Sequence, residues 1–144
     1  MVSVSRMNEQ QQNHILAIWS QKSDGTISPK ASLNSIAEFE ETHKSIPSEF
    51  KWFLLNCGGG TVGPEWVEGI DELFCIHQKY HEECNIPNGY SYPNFFIIGW
   101  DGSGSPILID NEGKVVAEHP GEPLATLANS FAEWVISSHV EHGG

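Results

Sequence analysis

Basic side chains are scarce in this 144-residue sequence: seven Lys and Arg stand against nineteen Asp and Glu, a net charge of −12. Beyond Lys51 only Lys79 and Lys114 are basic, whereas thirteen acids follow from Glu65 onward. Direct binding to nucleic acid is therefore not expected, because the phosphate backbone demands clustered cations. Long apolar runs are also missing. The longest, Ile15 to Trp19, falls far short of the roughly 20 residues a membrane-spanning helix needs. The opening MVSVSRMNEQQQNH has one Arg and no apolar stretch of secretory length, so no membrane association is expected and the cytoplasm is the expected location. Cysteine is sparse as well: Cys57, Cys75 and Cys84 form an odd set without a CxxC pair, which fits a reducing compartment and incidental thiols. Aromatics, by contrast, are plentiful, with five Trp and seven Phe, enough for one core that buries about 70% of the unfolded surface. One domain over residues 1–144 is the expectation.

Periodicity divides the chain into helices at both ends and strands between them. Glu9 to Ser20 reads as an amphipathic helix, followed by the connector QKSDGTISPK. A second helix is predicted from Ser32, with Ser35 to Glu38 as its capping box and Leu33, Ile36 and Phe39 as its apolar contacts. Pro47 suits the first position of a third helix, where its missing N–H costs nothing. Phe50, Phe53, Leu54 and Cys57 make that helix's apolar stripe, and Gly58 stops it. Short extended pieces are expected near Thr61 and around Val67 to Ile70, then a helical segment around Ile76 to Cys84 and a loop over Asn85 to Asn94. Phe95 to Ile98, Ile107 to Ile109 and Val115 to Ala117 read as a three-strand meander, with a turn over Gly99 to Gly104 and a hairpin connection over Asp110 to Gly113. Pro123 is expected to open a last helix carrying Leu124, Leu127, Ala128, Phe131 and Val135. The fold class is α+β: a central, mainly antiparallel sheet flanked by N-terminal helices and a C-terminal helix.

Catalytic motifs fare poorly. Gly58 to Gly63 matches GxGxxG letter by letter, but it follows a helix and runs into Pro64, the reverse of the strand–turn–helix context that places a pyrophosphate on a helix N-terminus. Asp101, Ser103, Ser105 and Glu112 mimic a calcium loop, yet Pro106 occupies the position that requires Gly. Ser103 lacks the flanking glycines of a nucleophile elbow. His77, His81 and Cys84 would share a helical face at i, i+4 and i+7 and could offer zinc two imidazoles and a thiolate, though without the Glu of HExxH. The acid pairs Glu40-Glu41, Asp71-Glu72 and Glu82-Glu83 read as hydrated faces, since acid–base catalysis needs carboxyls in different environments. Catalytic residues, a metal and a cofactor are accordingly not assigned. Trp66 and Trp100, beside turns and acids, are of the type that anchors a protein partner.

Two stretches nevertheless carry a pattern. Ile36-Ala-Glu-Phe-Glu40 with Ile46-Pro-Ser-Glu-Phe-Lys-Trp-Phe-Leu-Leu-Asn-Cys-Gly-Gly59 resembles the opening signature of the SUKH superfamily, which includes the Smi/Knr-type domain named after a fungal cell-wall assembly regulator. Phe96 to Gly104, Ile107 to Asp110, Gly113 to Val115 and Leu127 to Trp134 are similar to its second half, so the resemblance spans about residues 32–138. It implies an α+β fold with a sheet flanked by helices. It also implies a role, because bacterial members are typically immunity proteins that neutralise a cognate toxin domain, often a nuclease or deaminase. No catalytic residue is established for the family, so none is carried over. Glu40, Pro47, Gly59, Asp101, Gly104, Asp110 and Gly113 match its signature as scaffold determinants.

The leading expectation is thus an immunity protein that occludes a basic toxin domain stoichiometrically, with Glu65, Trp66, Glu68, Asp71, Glu72, Glu82, Glu83 and Trp100 as contact candidates. A non-enzymatic regulatory or scaffolding module that binds an endogenous signalling or cell-wall protein is the alternative. A metal-dependent hydrolase comes third and rests only on His77, His81 and Cys84.

Overall fold

The computed structural model describes residues 7–23, 25, 27–83, 95–119 and 122–142, with side chains described except at 80–83 and 140–142. Along the chain these form α1 (Glu9–Ser20), β1 (Ile27–Ser28), α2 (Leu33–Thr42), α3 (Ser48–Asn56), β2 (Gly59–Val62), β3 (Glu65–Val67), α4 (Ile70–Glu83), β4 (Phe96–Trp100), β5 (Pro106–Ile109), β6 (Val115–Ala117), β7 (Ala125–Ala128) and α5 (Phe131–His142). The seven strands form one sheet in which the order across the sheet equals the order along the chain. Every neighbouring pair is antiparallel. The α+β expectation holds, and the meander runs to seven strands where the sequence pattern marks three.

Local chemistry explains most boundaries. Asn8 caps α1 by accepting from the Gln11 N–H at 2.7 Å, and the Gln11 side chain in turn accepts from the Asn8 N–H. Gly58 ends α3 with φ +96°, a conformation that suits glycine. Asp101 and Asp110 each turn the chain by accepting backbone N–H bonds from residues two and four positions on. The carboxylate of Glu40 accepts from the Ile46 N–H at 2.9 Å and pairs with Lys51 at 3.0 Å, which ties the end of α2 to the start of α3.

Several expectations need correction. The capping box of α2 lies one turn earlier, between Ser32 and Ser35, because Ser32 is already the extended residue that precedes the helix. Leu33, predicted to make apolar contact, is 76% exposed. Pro47 is the N-cap of α3, with Ser48 first in the helix. The connector holds β1, and α4 begins at Ile70, six residues before the predicted helical segment. Gly99 and Trp100 belong to β4 instead of a turn. The helix expected from Pro123 is instead β7 followed by α5: Leu124 and Leu127 are exposed, and the Ser130 hydroxyl accepts from the Glu133 N–H to start the helix only at Phe131. The predicted loop over Asn85 to Asn94 lies outside the described residues.

Directly opposed residues share a face of an antiparallel sheet. Phe96, Ile109 and Val115 lie on one face, and the helices close over it through a chain of rings. Trp19 of α1 meets Phe53 of α3 at 4.8 Å, Phe53 meets Phe131 of α5 at 5.0 Å, and Phe131 meets Phe50 at 5.4 Å. Phe50 then reaches Phe96 at 5.9 Å, which in turn meets His77 of α4 at 4.4 Å. Ile97, Leu108 and Val116 form a buried row on the opposite face, so the central strands are shielded on both sides.

His77 is fully buried in this seam, and its Nε2–H donates to the Ile97 carbonyl at 3.0 Å. Burial pushes its pKa down to about 3, and the positive charge of His43 and Lys44 adds to the effect against the hydrogen bond. The folded protein therefore holds a neutral imidazole at pH values where the unfolded chain binds a proton. Its contribution to stability is complete above about pH 6.5 and is lost as pH falls toward 3, with a slope of up to about 1.4 kcal/mol per pH unit. His77→Gln keeps an N–H donor and does not titrate. Urea unfolding measured from about pH 7.5 to about pH 4.5, across the upper part of that window, is expected to show a shallower loss of stability in the variant than in the parent chain.

Candidate functional site

The face opposite the aromatic seam carries two tryptophans side by side. Trp66, in the middle of β3, is directly opposed to Trp100, the last residue of β4. Their adjacency depends on Gly99: a methyl group there would fall 2.0 Å from the Trp66 carbonyl oxygen, so β3 can approach β4 only because position 99 has no side chain. A bulge between Ile97 and Gly99 shifts the register and turns Trp100 onto the face of Trp66. Glu68 follows β3, and its backbone N–H donates to the Ile98 carbonyl at 2.9 Å. The Glu68 carboxylate then accepts from both indoles, from the Trp66 Nε1–H on Oε1 and from the Trp100 Nε1–H on Oε2 at 3.3 Å. All three side chains are half-buried. The result is a carboxylate held in place by two amphipathic rings on one face of the sheet.

The remaining candidates are dispersed. Glu65 opens β3 opposite Val62 and is half-buried. Asp71 and Glu72 are exposed in the first turn of α4, where a negative charge complements the helix dipole. They line a cleft of about 350 Å³ shared with Ser28, Lys30, Ser32 and Ser35. Glu82 and Glu83 close α4, about 16–18 Å along the helix from Asp71 at 1.5 Å per residue; their side chains are outside the described ones. Of the eight candidates, the structure thus joins Trp66, Glu68 and Trp100 into one constellation.

Chemical alternatives lose their groups to the scaffold. The His77 ring is enclosed and its Nε2 is committed to Ile97; the His81 side chain and Cys84 lie outside the described residues. Among the described residues, no three His, Cys, Asp or Glu are arranged to hold a metal ion. Burial pushes the Cys57 thiol up to about 12, which removes it as a nucleophile at neutral pH. Gly58 to Gly63 ends a helix and forms β2, where Gly59 allows close passage of the chain between Val67 and Gly69. Sequence reasoning missed Gly99; a glycine inside an otherwise apolar strand was the available signal.

Glu68→Ala is expected to leave two half-buried indole N–H groups without their acceptor and to cost about 1–3 kcal/mol. Indole N–H resonances in a ¹⁵N-edited spectrum should shift for Trp66 and Trp100 together, with the Trp19 resonance unmoved, since its Nε1–H donates to Gly59.

Among described residues no helix is long and apolar enough to cross a membrane. A comparison with curated proteins finds no match. The SMI1 / KNR4 family (SUKH-1) matches residues 30–137, from the approach to α2 through most of α5, and the chain belongs to that family.

Proposed function

We propose that this protein is an immunity protein of the cytoplasm that binds a cognate bacterial toxin domain and blocks it stoichiometrically. The observation that carries this reading is the Trp66–Glu68–Trp100 constellation: two aromatic anchors around a fixed carboxylate on a sheet face. Large amphipathic rings supply contact area at small entropic cost, and Trp is enriched among residues that dominate binding energy. Membership of the SUKH-1 family supports the same reading, because it fits an immunity-like domain.

Charge favours a basic toxin. A nuclease keeps a cationic cleft for phosphates, and a body of net charge −12 accelerates encounter with it. The complex would then be sealed at short range by the tryptophans. Turnover has no part in this mechanism; occupancy of the toxin's active cleft is sufficient.

Co-expression with the protein encoded by the neighbouring gene tests the reading. Rescue of growth is expected, together with a one-to-one complex that weakens as salt rises. Trp66→Ala with Trp100→Ala should weaken binding by about 2 kcal/mol or more, roughly thirtyfold, as measured by calorimetry. No rescue and no complex would reject it, and capture of an endogenous signalling or cell-wall protein would favour the regulatory module instead.

A further inference from the structure

Both groups that donate to the Glu68 carboxylate are neutral: the Trp66 Nε1–H on Oε1 and the Trp100 Nε1–H on Oε2. Every Lys of the chain is among the described residues, and none forms an ion pair with Glu68. Lys51 turns to Glu40 and Lys114 to Glu112, while Lys22 donates at 3.1 Å to the hydroxyl of Thr61, the residue opposite Trp66. Across this face Thr61, Trp66, Trp100 and Pro106 are opposed in succession. No like charge flanks the tryptophans along that row. A carboxylate oxygen has two lone pairs, so each Glu68 oxygen accepts one indole N–H and can accept a second donor. What the site supplies is thus two parallel acceptor positions on one planar group, a negative charge balanced by neutral donors alone, and two indoles.

We infer that this site receives an arginine side chain of the protein partner, its guanidinium paired with Glu68 and packed against the indoles, an assignment that rests on the reading of a basic partner. Charge selects a cation, since neutral donors already serve the carboxylate and leave its charge in place. Shape selects arginine among cations. Its planar fork offers one N–H to each of two oxygens, whereas an ammonium is a point charge. Guanidinium is also more weakly hydrated than ammonium and stacks on aromatic faces, which suits a half-buried carboxylate between tryptophans.

The full chain titrated with the blocked peptide Gly-Arg-Gly, and with its lysine and citrulline counterparts, tests the inference through the indole N–H resonances. Citrulline keeps the shape of arginine and lacks its charge. The arginine peptide should shift Trp66 and Trp100 saturably in roughly the millimolar range, with Trp19, bonded to Gly59, as the unmoved reference. The lysine peptide should need several-fold more, and the citrulline peptide should shift neither. No response to arginine, or an equal response to lysine or citrulline, overturns the inference. In the toxin complex, Glu68→Gln with unchanged far-ultraviolet circular dichroism should weaken binding about thirtyfold. A complex that this substitution leaves equally tight overturns the inference and spares the toxin reading. Absence of any complex rejects that reading, and the peptide series still decides the arginine site.

Discussion

The absence of a side chain at Gly99 is the constraint on which the described surface depends. With the Trp66 carbonyl oxygen only 2.0 Å from where a methyl group would sit, any larger residue forces β3 away from β4. The bulge beside it then decides which way Trp100 faces. Remove the close approach and the indoles no longer share a carboxylate, although each residue involved is still present. The make-up of this surface is a property of backbone register as much as of side-chain identity.

Behind that surface lies a seam of rings that reaches each of α1 to α5. Phe96 is the junction, meeting Phe39 of α2, Phe50 of α3 and His77 of α4. Placing a histidine there is costly in acid but gives the Ile97 carbonyl a donor beside the bulge. The same strand therefore anchors the core on one face and presents Trp100 on the other.

Much of this was legible in the sequence where a local pattern had one physical solution. The Phe50, Phe53, Leu54 and Cys57 stripe, the Glu9-to-Ser20 helix and the Asp110-to-Gly113 turn all follow from spacing and turn chemistry. The segment after Pro123 did not, because Leu124, Leu127, Ala128 and Phe131 repeat at helical spacing while only Phe131 among them is fully buried. Its strand buries little, so no period marks it. For the site, Trp66 and Glu68 are two apart and could be placed together by alternation. Trp100 could not, since its opposition to Trp66 depends on a pairing register across 34 residues that no single sequence spells out.

A last consequence lies in Glu49. This buried acid on α3 accepts the backbone N–H of Ala132, 83 residues later, at the first turn of α5. The early helix thus carries part of the late helix's cap. During synthesis, α3 leaves the ribosome long before its counterpart exists, so this hydrogen bond forms only after Phe131 to His142 follow. Docking of α5 then buries that carboxylate against the Ala132 N–H, so closure of this part of the core waits on a segment made 83 residues later.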